Sequence, residues 1–186
     1  VLGMLASALT DGGSDRAAAK AGLAMVPDVA GRVLEGADSI REAANRFQDR
    51  ERFICVAAGP NTANAYEVAL KMKETSRADS EGFHVEQLLH GPFCEVDGHC
   101  LVTLVAPPGP GYVESPIVAR ASAAVEAPVW ALVQEGDTRL SAEATEAYHL
   151  PAVEELWSPL TYVLPLQLFT YYLSLARGTQ PDLFQQ

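Results

Sequence analysis

The apolar run Phe53–Ala58 is broken at once by Gly59-Pro60-Asn61, and a helical pattern follows as far as about Ala78. A short apolar run bounded by turn residues is typical of a buried parallel strand. Glycine and proline end such a strand, and the helix then starts at its carboxyl end. This strand–turn–helix unit predicts an α/β fold, because parallel strands need crossover connections that are usually helices.

The same alternation continues along the chain and predicts a parallel sheet. We expect further strands at Glu81–Val85, Leu101–Ala106, Pro128–Val133 and, as a weak edge, Thr145–His149, and helical segments at Glu86–Phe93, Tyr112–Val125 and Ser158–Arg177. Ser158 and Pro159 suit the N-cap and first position of the last helix, and Pro165 should bend it. That helix is apolar on nearly every side, so we expect it to be buried and to favour association.

The acidic composition limits the partners of the chain. Its 186 residues include 13 Lys and Arg against 24 Asp and Glu, which gives a net charge of −11. Non-specific nucleic-acid binding depends on basic surface, so we expect no nucleic-acid partner. No apolar run reaches the ~20 residues of a membrane span, and Val1–Leu9 lacks the pattern of a signal peptide. We therefore expect a cytoplasmic protein with no membrane partner.

The cysteines and histidines give no sign of a metal site. Cys55, Cys94 and Cys100 are an odd number without tight spacing, which argues against a disulfide framework and against zinc. Cys55 lies in a strand pattern, where a small buried hydrophobe is expected. His84, His99 and His149 have no ligand-like grouping, so we expect neither a metal nor a cofactor.

The N-terminal part is predicted to consist of helices outside the main domain. Ala17–Met25 and Val29–Phe47 have helical patterns, and Pro27 is expected to separate them. Val1–Leu9 is apolar all round without a capping residue, which is typical of the end of an earlier element. We assign residues 1–48 to an N-terminal segment of linker-like helices and residues 49–186 to the main domain.

The helix after Asn61 has two unlike faces. The side expected to pack on the sheet carries Ala65, Val68, Ala69, Met72 and Ser76. The opposite side carries Glu67, Lys71 and Glu74, which we call the charged stripe. One interpretation is a solvated surface, because a Glu-to-Lys pair four residues apart stabilises an exposed helix by ~0.3–0.5 kcal/mol.

The other interpretation of the charged stripe is a proton-transfer site. Aldose–ketose isomerisation moves a proton between C1 and C2 of a sugar through an enediol, and this step needs a carboxylate base. Ring opening needs a second group, for which His90 is suited because its unperturbed pKa lies near neutrality. Lys71 would keep Glu67 or Glu74 ionised and attract an anionic substrate. A structural histidine at position 90 is the alternative.

Three polar residues at the start of the same helix, Asn61, Thr62 and Asn64, are candidates for binding a substrate phosphate. Backbone N–H groups at a helix start favour anions. The alternative is simple N-capping, because Asn and Thr are preferred at that position.

Four segments resemble one protein family. They are Tyr66–Glu74 (YEVALKMKE), Ser80–Gly82 (SEG), Glu86–Pro92 (EQLLHGP) and Val163–Gly178 (VLPLQLFTYYLSLARG). These segments are similar to the second sugar-isomerase (SIS) domain of glucosamine-6-phosphate synthases, and the resemblance extends roughly over residues 1–182.

The resemblance implies a flavodoxin-like SIS domain over residues 49–186, with a five-stranded parallel sheet between two layers of helices. It implies that Glu74 transfers the proton between C1 and C2, with Glu67 and Lys71 in the same site. It further implies that His90 opens the sugar ring across the interface of a homodimer. The implied substrate is a hexose or hexosamine 6-phosphate.

Three departures from the family pattern affect the predicted reaction. Ala58-Gly59-Pro60 stands where the family often has Gly-Arg-Gly, and Leu89 stands where it has a lysine. The family's tail lysine, which forms a Schiff base with the ketose, is not found before Gln186. We therefore expect an aldose–ketose isomerase or a deglycase. The alternative is a non-catalytic phosphosugar-binding or dimerisation module.

Overall fold

Five parallel strands form one sheet in the order β2-β1-β3-β4-β5, in a computed structural model that describes residues 14–182. The strands are β1 Arg52–Ala57, β2 Asp79–His84, β3 Cys100–Ala106, β4 Val129–Gln134 and β5 Glu146–Leu150. All four neighbouring pairs are parallel. The predicted five-stranded parallel sheet is confirmed. The predicted Val1–Leu9 element lies outside the described residues.

Helices cover both faces of the sheet. They are α1 Ser14–Glu35, α2 Ala37–Phe47, α3 Thr62–Ser76, α4 Val85–Leu89, α5 Ser115–Ala124, α6 Arg139–Glu143 and α7 Ser158–Ala176. One buried apolar cluster joins a sheet face to α1, α2, α3 and α7, and a second joins the other face to α4, α5 and α6. The expected three-layer α/β/α fold is confirmed.

The strand order has one switch point, between β1 and β3. The chain passes from β1 to β2 on one side and then returns to β3 on the other side of β1. The connections that follow β1 and β3 therefore leave the sheet in opposite directions. A crevice forms between their carboxyl ends, and ligands of open α/β sheets bind at such places.

The packing of α7 explains its apolar sequence. Phe169 of α7 stacks on Trp130 of β4 with ring centroids 4.5 Å apart. At the end of the helix, the Arg177 guanidinium lies 5.0 Å from the Phe53 ring centroid. Arg177 also donates hydrogen bonds to the carbonyl oxygens of Gln48 and Arg50. The last helix is thus tied to the segment that leads into β1, and Pro165 is accommodated inside it.

Two sequence-based expectations about helices were wrong. Pro27 does not separate two helices, because α1 runs through it as far as Glu35. The break comes at Gly36, where an added Cβ would lie 2.8 Å from the Tyr148 hydroxyl. The turn Pro110–Tyr112 is 3-10, so α5 starts at Ser115 and not at Tyr112.

A short helix, α6, was not predicted at all. The Asp137 carboxylate accepts hydrogen bonds from the backbone N–H groups of Leu140 and Ser141, both at 3.0 Å. These bonds satisfy donors at the start of α6 and so stabilise a helix too short to have a clear hydrophobic period.

Three further expectations concern burial, membrane spans and domain boundaries. Cys55 is fully buried, as expected, and burial raises the pKa of its thiol to about 12. Within residues 14–182, no helix is both long and apolar enough to span a membrane. The predicted boundary between residues 48 and 49 stays a prediction, although Ile40 and Phe47 of α2 belong to the same buried cluster as Phe53.

Candidate functional site

The start of α3 is built by a tight turn at the switch point. Gly59 has a φ of +54°, in the left-handed region that favours glycine. It opens the 3-10 turn Gly59–Asn61, and α3 follows directly at Thr62. The turn lets the chain leave the carboxyl end of β1 and lie back over the sheet.

The two faces of α3 are those predicted from the sequence. The buried residues of this helix include Ala65, Val68, Ala69, Met72 and Ser76. The charged stripe lies on the other side, where the side chains of Glu67, Lys71 and Glu74 are 38%, 36% and 41% exposed. Over residues 14–182, the stripe is therefore partly shielded but still open to solvent.

The charged stripe is held together by ion pairs. Lys71 Nζ lies 2.6 Å from Glu74 Oε2 and 4.0 Å from Glu67 Oε1. The hydrogen bond to Glu74 raises the pKa of the Lys71 ammonium, and the charges of both glutamates add to that rise. The stripe therefore places one ammonium beside two carboxylates, and a carboxylate is a type of group that can act as a general base.

His90 directly follows α4 and is not joined to the charged stripe. Its Nε2 lies 3.3 Å from Glu86 Oε2, and its side chain is 80% exposed. Within residues 14–182, no ion pair or hydrogen bond joins this imidazole to Glu67, Lys71 or Glu74.

Helix α3, which carries the charged stripe, and helix α4, which His90 follows, both border the edge strand β2. They cover opposite faces of the sheet, since α3 and α4 belong to different buried clusters. The Tyr66 hydroxyl of α3 reaches Gln87 Oε1 of α4 at 3.4 Å, so the two helices meet past this edge. Both sets of candidate residues are therefore accessible at one edge of the molecule.

The amides of Asn61 and Asn64 make bonds within the protein. Asn61 is fully buried, and its Nδ2 donates to Ser158 Oγ at 2.6 Å. Asn64 Nδ2 donates to Asn61 Oδ1 at 3.0 Å and to the Pro159 carbonyl oxygen at 3.1 Å. These bonds fasten the start of α3 to the start of α7. Asn61 occupies the N-cap position of α3, but its side chain makes no capping hydrogen bond. Simple N-capping therefore does not explain this residue.

Thr62 is the candidate phosphate ligand nearest to solvent. Its hydroxyl donates to the Gly59 carbonyl oxygen at 2.9 Å, and the residue is only partly buried. The substrate-binding role of Asn61, Thr62 and Asn64 stays a prediction.

Sequence reasoning missed a polar pair near the carboxyl ends of β3 and β4. The Tyr112 hydroxyl donates a short hydrogen bond to Asp137 and accepts one from the Leu140 N–H at 3.2 Å. Burial, followed by the bond to Asp137, raises the pKa of Tyr112 to about 12. The available signal was the sequence Glu135-Gly136-Asp137 directly after a strand, since short polar turns at strand ends often carry function.

No metal site is evident in the part of the chain that the structure describes. Residues 14–182 contain no group of three or more His, Cys, Asp or Glu side chains arranged to hold an ion. Cys55, Cys94 and Cys100 are free thiols.

Comparisons with known proteins give several sequence relatives. No protein-family model matches the chain. The glutamine–fructose-6-phosphate aminotransferase (isomerizing) of Methanothermobacter thermautotrophicus is 35% identical over 161 residues, which cover 86% of this chain and 27% of that protein. The enzyme of the same name from Symbiobacterium thermophilum is 32% identical over 171 residues, which cover 91% of this chain and 28% of that protein. The chain thus spans about a quarter of the length of these relatives.

Solved structures share the fold. The C-terminal domain of glucosamine-fructose-6-phosphate aminotransferase from Francisella tularensis matches with a TM-score of 0.83 and 24% identity, over 92% of this chain and 48% of that one. Tagatose-6-phosphate ketose/aldose isomerase from Escherichia coli matches with a TM-score of 0.74 and 18% identity, over 87% of this chain and 46% of that one. These structures confirm the expected fold, and the sequence relatives confirm the resemblance expected from the sequence.

Proposed function

We propose that this chain is a SIS (sugar isomerase) domain, similar to the isomerase half of glucosamine-6-phosphate synthases, and that it catalyses aldose–ketose isomerisation, or deglycation, of a hexose or hexosamine 6-phosphate. The observation that supports this proposal most is the charged stripe. Lys71 holds Glu67 and Glu74 within 4.0 Å and 2.6 Å of its ammonium, at the same molecular edge as His90. Similar proteins include an isomerizing glutamine–fructose-6-phosphate aminotransferase and a tagatose-6-phosphate ketose/aldose isomerase, which supports a reaction on a phosphorylated sugar.

In the proposed reaction, Glu74 carries the proton between C1 and C2 of the open-chain sugar. The carboxylate removes the proton from one carbon to form the enediol and returns it to the neighbouring carbon. Lys71 orients the Glu74 carboxylate through their ion pair and attracts the anionic substrate. General acid–base catalysis of this kind contributes about 10²–10⁴-fold to a rate.

His90 opens the sugar ring by moving a proton to and from the ring oxygen. Its imidazole pairs with Glu86 and is largely exposed, so we propose that it serves the charged stripe of a second protomer. A homodimer would then complete two equal sites. Exposed apolar side chains are available for association, namely Tyr66 and Leu70 on α3 and Leu160, Tyr171 and Leu175 on α7. A cytoplasmic location belongs to the same proposal.

The variant Glu74→Gln tests the catalytic role. It removes the base while preserving the size of the side chain. We expect turnover of fructose 6-phosphate and glucosamine 6-phosphate to fall by about 10²–10⁴-fold with sugar-phosphate binding retained. Glu154→Gln is the matched control, because it neutralises an exposed carboxylate far along the chain from α3. A Glu74→Gln protein that turns over sugar phosphates as fast as the parent would refute this role.

A second candidate function is a non-catalytic phosphosugar-binding or dimerisation module. The observation that favours it is the openness of the charged stripe, together with the separate pairing of His90 with Glu86. Absence of turnover in the unaltered chain, with sugar-phosphate binding detected by calorimetry, would support this alternative over the isomerase.

A further inference from the structure

A cavity of about 380 Å³ opens at the carboxyl ends of β3 and β4. It shares no residue with the charged stripe or with His90. Its volume lies within the range of about 300–1,000 Å³ that is typical of small-molecule pockets. Its position is also the end of a parallel sheet at which ligands bind. The function proposed above leaves this cavity unused.

The polar groups of the cavity are held in fixed positions. The Tyr112 hydroxyl bonds to Asp137, which in turn accepts from the N–H groups of Leu140 and Ser141. Gln134 adds an amide at the end of β4, and Ala106 adds an apolar wall at the end of β3. A few convergent polar groups beside apolar ones, with a shifted pKa among them, are typical of ligand sites.

The charges around the cavity disfavour an anionic ligand. Glu135 and Asp137 line it, whereas no lysine or arginine does so among the described residues. Arg32 lies near the rim, but its guanidinium is paired with the Glu135 carboxylate. The lining therefore offers mainly hydrogen-bond acceptors, which suit a ligand that donates from hydroxyl groups.

A third carboxylate, that of Glu155, closes the neighbouring switch-point crevice. A Cβ added at Gly109 would lie 2.5 Å from Glu155 Oε1, and one added at Gly59 would lie 3.1 Å from the same atom. The space left beside Glu155 is about 10 Å³, which is at the lower limit for one water molecule. Gly109 and Tyr112 also border the larger cavity, so an anion there would approach this carboxylate.

We propose that the cavity at the ends of β3 and β4 is a second ligand site, which takes a neutral, hydroxyl-rich molecule of about monosaccharide size, and that Glu155 excludes phosphate from it. This inference goes beyond the isomerase proposal and does not depend on it. It runs against the sequence-based prediction of a phosphate beside Asn61, because Glu155 also lies against Gly59.

The test is an amide-resolved NMR titration of the full chain with a matched pair of sugars. N-acetylglucosamine should shift the Gly109 and Gly136 signals, and N-acetylglucosamine 6-phosphate should bind there at least about tenfold more weakly, because a like charge opposes it. Equal or tighter binding of the phosphorylated sugar at these signals would overturn the proposal. So would the absence of any shift with the neutral sugar up to about 20 mM, which would mean no affinity of practical size.

Two neighbouring variants locate the source of the selectivity. Glu155→Ala should strengthen binding of the phosphorylated sugar at least about fivefold, because it removes both the charge and the obstruction. Glu154→Ala removes an adjacent exposed carboxylate and should change neither affinity. Equal effects of the two substitutions would refute the role of Glu155. These readouts measure binding, so a failed isomerase assay would leave them unaffected.

Discussion

Asp137 is a residue whose ionisation is fixed by its hydrogen bonds. Burial tends to raise the pKa of its carboxyl, but the bonds from Tyr112 and Ser141 outweigh this effect and hold the pKa below its ordinary value of 3.8. A carboxyl with a lowered pKa in the folded state stabilises the protein above its unfolded pKa. That contribution is lost as the pH falls through the folded-state pKa.

Asp137→Asn should therefore destabilise the protein in a pH-dependent way. At pH 7 the free energy of unfolding should fall by about 1–3 kcal/mol, because hydrogen bonds to a charged group are lost. The difference from the parent should shrink below about pH 4, as the pH falls from the unfolded-state pKa of the carboxyl through its lower folded-state pKa. Urea unfolding at a series of pH values measures this. The control is Asp28→Asn, which alters an exposed carboxylate and should change the free energy of unfolding little. A loss of stability in Asp137→Asn that does not vary with pH would contradict the explanation.

At the scale of elements, the contact of α3 with β2 depends on one glycine. A Cβ added at Gly82 of β2 would lie 2.7 Å from the Ala65 carbonyl oxygen and 2.8 Å from the Tyr66 Cα. Both atoms belong to the α3 backbone, which cannot move aside as a side chain could. The position of the charged stripe over the sheet edge therefore depends on Gly82.

Gly82→Ala should destabilise the protein by about 1–3 kcal/mol, as overpacking does. Gly31→Ala is the matched substitution, because Gly31 lies inside α1 with nothing within 4 Å of an added Cβ. Alanine there should stabilise the protein by about 0.5–1 kcal/mol. In thermal unfolding, the midpoint temperature should therefore fall for Gly82→Ala and rise for Gly31→Ala. Equal changes in the midpoint temperature of the two variants would mean that α3 can move away from β2 at little cost in stability.

At the scale of the whole molecule, the proposed site needs two protomers. Glu74→Gln and His90→Ala should each be inactive if Glu74 and His90 act in the same site. Mixing the two variants under subunit exchange should restore about a quarter of the parental activity, because half of the dimers are mixed and each has one intact site. Steady-state turnover of the mixture measures this. Two variants that stay inactive together, in dimers shown by light scattering to exchange, would place both residues in one protomer's site.

The apolar runs predicted the central strands β1, β3 and β4, because each of them is buried by its position in the sheet and needs an apolar sequence. The edge strands β2 and β5 are only partly buried and have mixed sequences, so their signal was weaker. The period of α3 likewise predicted that Met72 faces inward and Lys71 outward. Prediction failed for α6, which has five residues and is stabilised by the Asp137 carboxylate. It also failed at Pro27, because burial of Val29 and Val33 beyond the proline keeps the helix continuous.

The sequence alone determined the α/β class and the two faces of α3. Local periodicity states which side of one element is apolar, and that information was sufficient for these conclusions. Only the tertiary structure decided that Asn61 bonds to Ser158, that Glu155 closes the crevice at Gly59 and Gly109, and that Tyr112 meets Asp137. Such contacts join residues from distant parts of the chain, so their existence depends on how the crossovers bring the strand ends together.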